Sequence, residues 1–135
     1  MDALVPKRSE VYTAAGLLLG ATAVVGVLNP YERGHYPTCP LLALTGLYCP
    51  FCGGLRAVHD LTRLDVAGAL ARNPLFVVTL PLIVWALVRW GVPAFTGRPA
   101  RKLPLPRWWG WAVGGVLLVY AVLRNLPGWT WLSPA

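Results

Sequence analysis

Acidic residues are scarce in this sequence: Asp and Glu together number 5 among 135 residues, and all charged residues amount to 13%. A soluble domain carries about 25% charged residues, so water is a poor solvent for most of this chain's surface. So few carboxylates leave little for paired acid–base catalysis. A Ser/His/Asp set, a phosphate-binding glycine loop, an HExxH pattern, the CxxCH of haem attachment and a lipobox are all missing. No internal repeat is visible, which argues against a transporter in its own right. Methionine occurs once and lysine only at Lys7 and Lys102, whereas Ala, Leu, Arg, Gly and Pro abound. That bias points to a high-GC bacterial source.

What is present is apolar. Hydrophobic residues make up 56% of the chain and mean hydropathy is +0.56. The net charge of +7 does not point to nucleic acid, because the basic residues flank apolar runs instead of forming a stripe with interleaved aromatics. Beside a bilayer the same charges act as orientation signals and attract anionic headgroups.

Three apolar runs are expected to span a membrane, at about 11–28, 74–95 and 108–126. The first is uncharged, and at about 1.5 Å per residue it reaches ~27 Å, close to the ~30 Å hydrocarbon core. Lys7, Arg8 and the small residues Ala21-Thr22-Ala23 allow a signal-peptide reading, but the run continues past them and is too long for a signal core. Gly16 and Gly20 form a GxxxG pair, a pattern that can pack helices closely but is common in Gly-rich spans. In the second run Asn73 is a suitable N-cap, Pro74 suits the first turn, Pro81 should kink the helix, and Arg89 can snorkel to the headgroups. Trp108, Trp109 and Trp111 crowd the start of the third run and Trp129 and Trp131 follow its end, as interfacial belts do. Residues 96–107 form a basic, Pro-broken linker. Lys7, Arg8, Arg98, Arg101, Lys102 and Arg107 fall on one side, and Arg33, Arg56, Arg63, Arg72 and Arg124 on the other. The cluster at 98–107 favours an N-terminus inside and the first loop outside.

That loop, residues 35–73, carries the chemistry. Cys39, Cys49 and Cys52 are spaced C-x9-C-x2-C, with Pro40 and Pro50 each directly after a cysteine. An odd number of cysteines cannot pair completely within one chain. The segment CPLLALTGLYCPFCGGLRA, followed by Leu64-Asp65 and Asn73-Pro74, resembles a family of small bacterial membrane proteins catalogued as a domain of unknown function. The resemblance covers about residues 36–95. It implies a multi-pass membrane fold containing this cysteine segment, and no activity. By position its signature residues are Cys39, Thr45, Gly46, Cys49, Pro50, Cys52, Gly53, Arg56, Ala57, Asp65, Asn73 and Pro74. Gly54-Leu55 departs from the small or hydroxyl residue expected before the Arg.

Two chemistries compete for Cys-Pro-Phe-Cys-Gly. As a metal knuckle, two thiolates three positions apart grip one ion while Gly53 supplies a turn with positive φ. A structural zinc site needs four ligands. Cys39 is the third candidate, and His59 the fourth, with His35 behind it. A helix starting near Cys52 would put Cys52, Arg56, His59, Asp60 and Arg63 in one sector. As a redox dithiol, the tetrapeptide matches the glutaredoxin active site, with Cys49 attacking, Cys52 resolving, Arg56 supplying positive charge and Cys39 relaying electrons. The βαβ context of such enzymes is missing. A single disulfide stapling the loop, or simple buried thiols, are the plainer readings. Elsewhere, Asp65 should cap a short helix over 66–72, Thr45-Gly46 should form a turn, and Arg56, Asp60 and Arg63 should form a solvated charge ladder.

These expectations combine into an all-α membrane protein of a bacterial cytoplasmic membrane, a single domain with about three spans and short interfacial helices between the first and second. Its expected role is non-enzymatic, an interaction or accessory subunit: a metal- or disulfide-organised loop, with Cys39, Cys49, Cys52 and His59 as zinc ligands, presented to another membrane protein or a second copy of the chain. The alternative is a membrane thiol–disulfide oxidoreductase using Cys49 and Cys52. Partners other than these and the lipid bilayer are not indicated.

Overall fold

A computed structural model of the chain describes residues 5–32, 34–37, 39–98, 105–128 and 132. All regular structure in these residues is helical: α1 Arg8–Val27, α2 Pro40–Thr45, α3 Gly54–Thr62, α4 Val66–Arg72, α5 Pro74–Thr96 and α6 Trp109–Asn125. The three long helices overlie the three apolar runs of the sequence. α1 begins three residues earlier than its uncharged run, with Lys7 as N-cap and the Glu10 carboxylate accepting from the Lys7 amide at 3.1 Å. Arg33, Arg101, Lys102, Trp129 and Trp131, which enter the expected orientation and aromatic belts, lie outside the described residues.

Among the described residues, only α1 and α5 combine the length and hydropathy needed to cross a membrane. α6, at 17 residues, would reach about 25 Å. Little of α1 or α5 is buried against the rest of the chain, with 6% of the most apolar window covered in each. The core helix of a water-soluble domain is mostly buried, so this exposure suggests membrane association for both. Leu17, Leu19, Val78, Leu82, Trp111 and Leu118 all stand out from the surface. Water would hydrate that surface at a cost of about 25 cal/mol per Å² of apolar area, whereas hydrocarbon would not.

Packing concentrates at one pole. Close backbone packing joins α3 to α4, α1 to α3, α4 to α5 and α1 to α5, while α6 has no comparable backbone packing against any other described helix. α1 and α5 run antiparallel: Arg8 Nε donates to the Ala94 carbonyl at 3.1 Å at one end, and Tyr12 meets Phe95 edge-on. The close-packing glycines differ from the GxxxG pair. Gly16 and Gly20 face open space, whereas a Cβ on Gly91 would meet Val11 at 3.3 Å and one on Gly26 would meet the Thr62 side chain at 3.4 Å.

The short helices are set by caps. Asp65 ends the link after α3 and accepts from the Gly68 amide at 2.8 Å, starting α4 at Val66 as its sequence position suggested. Asn73 does the same for α5 through the Phe76 amide at 3.0 Å. Between α3 and α4, Leu64 N–H donates to Leu61 O and Asp65 N–H to Asp60 O, the paired bonds of a Schellman ending. Leu64 therefore takes the left-handed conformation (φ 62°) that glycine usually fills.

Candidate metal centre

Local turns bring the cysteines together. Cys39 is the N-cap of α2, Pro40 fills its first position, and Gly46 (φ 70°) ends it in the left-handed region. Thr45 secures that end, its hydroxyl donating to Leu41 O at 2.6 Å and accepting from the Leu47 amide at 3.2 Å. The chain thus doubles back within ten residues, and the Cys39 thiol donates to Cys49 Sγ at 3.5 Å. Cys49-Pro50-Phe51-Cys52 is a tight turn closed by the Cys52 amide on Cys49 O at 3.1 Å, which sets the two sulfurs 3.1 Å apart. Gly53 then adopts φ 80°, as its place after the knuckle required, and α3 follows. The three Sγ atoms all lie within 4.8 Å of one another, and none is in a disulfide.

The three thiols are electrostatically unequal. The Leu42 amide in the first turn of α2, followed by the Cys52 and Cys49 thiols, favours the Cys39 thiolate and lowers its pKa to about 7. No capping hydrogen bond closes at Cys39, so the amide acts through proximity. Cys52 is buried, and desolvation, then its sharing of protons with Cys49 and Cys39, pushes it up to about 12. One negative charge is thus accommodated at Cys39 with its neighbours donating, while ionising Cys52 requires a cation. A tetrahedral ion with sulfur ligands at about 2.3 Å has S···S edges of about 3.8 Å. Cys39–Cys49 at 3.5 Å and Cys49–Cys52 at 3.1 Å fall somewhat short of that edge, and all three sulfurs lie within 4.8 Å, so a small outward adjustment fits the donor set to a single thiophilic ion.

A polar clamp holds this loop from behind. Arg124, at the end of α6 and 1% exposed, donates through Nη1 to Cys49 O at 3.2 Å and Pro50 O at 3.3 Å, through Nη2 to Arg72 O at 3.4 Å, and through Nε to Leu132 O at 3.0 Å. Asn125 pairs with both backbone groups of Tyr48, accepting from its amide at 2.8 Å and donating to its carbonyl at 2.9 Å. Asn73, also buried, donates to Pro50 O and Cys52 O while accepting from the Phe76 amide and the Tyr120 hydroxyl. Every residue from Tyr48 to Cys52 except Phe51 thus has its carbonyl held by one of these side chains or, for Cys49, also by the turn. In the sequence Arg124 reads only as an orientation charge, and Asn125 and Tyr120 carry no signal of their own. The available signal was an Arg-Asn pair inside the end of an apolar run, where a charge needs partners within the protein.

His59 does not join the cysteines. Its Nδ1–H donates to Val25 O at 2.8 Å, satisfying a carbonyl left open in the last turn of α1, and its ring meets Tyr31 edge-on. Helical angle alone does not bring His59 to the cysteines, because seven residues beyond Cys52 correspond to about 10 Å of axial rise along a helix. His35 is elsewhere again, with Nδ1 against Asn29 O and Nε2 3.6 Å from Glu32. The expected solvated ladder is also corrected. Asp60 is buried and accepts from the Tyr31 hydroxyl at 2.7 Å, while the Arg56 and Arg72 guanidiniums lie 5.2 and 5.0 Å from the centre of the Tyr31 ring. Burial and the Asp60 hydrogen bond push the Tyr31 phenol pKa up.

Neither a curated protein nor a solved structure matches the chain. Residues 39–87, from the first cysteine through the cap of α5 and into that helix, match the family model described as "Protein of unknown function (DUF2752)".

Proposed function

We propose that this is a three-span integral protein of a bacterial cytoplasmic membrane whose surface loop holds one soft divalent ion, zinc in the first instance, on Cys39, Cys49 and Cys52. The single observation that carries the reading is the convergence of all three sulfurs within 4.8 Å. A disulfide would use two of them and strand the third, whereas one ion uses all three. Thiolate donors select zinc, copper(I) or iron–sulfur chemistry over magnesium or calcium. With His59 and His35 engaged elsewhere, the fourth position is filled from outside this cluster, by water or by a ligand from a partner. The ion fixes an irregular segment too short to build a core of its own, and the loop is presented non-enzymatically to another membrane protein or a second copy of the chain. The third span is α6, whose short length is met by local bilayer thinning and its tryptophan-rich start. The N-terminus is inside and the loop outside.

The C-x2-C turn, with its sulfurs 3.1 Å apart, favours a second reading, a membrane thiol–disulfide oxidoreductase of Cys49 and Cys52. Metal analysis with thiol counting, on protein purified from carbonate-washed membranes, separates the two. The metal reading expects about one equivalent of ion per chain and no disulfide. Metal-free protein with a Cys49–Cys52 bond that dithiothreitol opens readily would replace it with the redox reading.

A further inference from the structure

The loop that gathers the thiols is also what α6 grips. Tyr120, Arg124 and Asn125 of α6 reach the backbone of Tyr48, Cys49 and Pro50 directly or through Asn73. Along the rest of its length α6 has no backbone packing comparable to that among the other described helices, and Trp111, Val116, Leu118 and Val119 stand exposed along it. In hydrocarbon these side chains gain little from associating with other helices, because lipid tails are as apolar as they are. The seating of α6 therefore depends on the polar contacts at its C-terminal end. Those contacts need the carbonyls of residues 48–50 held in one arrangement, and these carbonyls belong to a turn without a regular backbone ladder. A shared ion would fix that turn, because moving any of the three sulfurs would lengthen a metal–ligand bond. Without it, only the sulfur–sulfur hydrogen bonds at 3.5 and 3.1 Å hold the three thiols together, a weaker tie than shared metal–ligand bonds.

We propose that ion binding at Cys39, Cys49 and Cys52 and the seating of α6 through Arg124 and Asn125 are one coupled equilibrium, so that the state of the surface loop is transmitted into the membrane as the position of α6. The inference rests on the metal reading and adds to it an ion-responsive switch. Arg124 and Asn125 are positioning residues in it: they touch the backbone that carries a ligand and not the ion. Linkage makes the effect reciprocal, since whatever factor the ion contributes to seating α6, seated α6 contributes to ion affinity.

The test uses full-length protein in nanodiscs, with spin labels on bioorthogonal side chains at positions 84 of α5 and 116 of α6, and zinc alone as the probe. A narrow label-to-label distance distribution is expected with zinc, and a broad or displaced one after chelation. In parallel, Asn125→Ala should lower zinc affinity about 10-fold by competition with a chromophoric chelator, and Asn125→Asp, which keeps the acceptor for the Tyr48 amide, should fall between it and the parent. Zinc binding with unchanged distances and unchanged affinity in Asn125→Ala would overturn the coupling and leave the metal site standing. Failure of the parent protein to bind zinc at all would overturn both. The distance measurement needs no substitution in the clamp, so a variant that does not fold leaves the coupling open to refutation.

Discussion

Arg124 donates to the carbonyl of Cys49 at 3.2 Å across 75 residues of sequence. The contact joins the end of α6 to the middle cysteine of the three-thiol cluster, and the same Nη1 also reaches Pro50 O. A guanidinium suits this place because its rigid fork serves several carbonyls at once, which an ammonium cannot do with the same geometry. Arg124→Leu would leave these buried carbonyls without that donor and should destabilise the protein by about 2–4 kcal/mol. Thermal unfolding in detergent should show the loss, with Arg124→Lys recovering only part of it. A melting temperature unchanged in Arg124→Leu would mean that the clamp contributes nothing.

The ligand assignment separates cysteine from histidine. Serine at Cys39, Cys49 or Cys52 should each release the ion, because two remaining thiolates grip it much less firmly. His59→Ala should instead retain the ion and lower stability by about 1–3 kcal/mol, since it strips the donor from the buried Val25 carbonyl. Metal content and melting temperature, measured on the same samples, check both. Loss of the ion from His59→Ala at intact fold would restore His59 as a ligand.

Acidity should also report on Cys39. An ion displaces whatever protons its ligands hold, so affinity rises with pH. Above a pKa of about 7, Cys39 is already a thiolate. Below it, one further proton must leave. The plot of log affinity against pH should therefore steepen by about one proton as pH falls through that value. Chelator competition from pH 6 to pH 8.5 measures the slope, and a constant slope would show that the Leu42 amide does not tune Cys39.

The turn after α3 holds a strain that can be relieved. Leu64 has φ 62° and is 88% exposed, so it carries the left-handed conformation without burying its side chain within the chain. Leu64→Gly should stabilise the fold by about 0.5–1 kcal/mol, the steric relief exceeding the entropy added to the unfolded chain. A melting temperature that falls would show that the leucine is held by something it contacts, such as lipid.

Local features were legible in the sequence where chemistry acts over a few residues. Asp65 and Asn73 cap the helices that follow them because a short polar side chain reaches an amide three positions on. Gly53 takes positive φ because the knuckle needs it, and the C-x9-C-x2-C spacing closes into a cluster through two tight turns. What was not legible depends on how helices meet. Helical angle alone placed His59 with the cysteines, but the rise of α3 carries it to the end of α1. Asp60 read as solvated because its partner Tyr31 lies 29 residues earlier. The roles of Arg124 and Asn125 depend on where the end of α6 comes to rest, and no local pattern encodes that.

In the proposed metal centre three thiolates of this chain, and no histidine, hold one ion. X-ray absorption at the metal edge of the purified, loaded protein tests it most directly. Three thiolate ligands would give about three sulfur scatterers at about 2.3 Å, one lighter ligand, and no outer-shell signature of imidazole. An imidazole in the first shell, or a protein that takes up no metal with Cys49 and Cys52 joined, would contradict it.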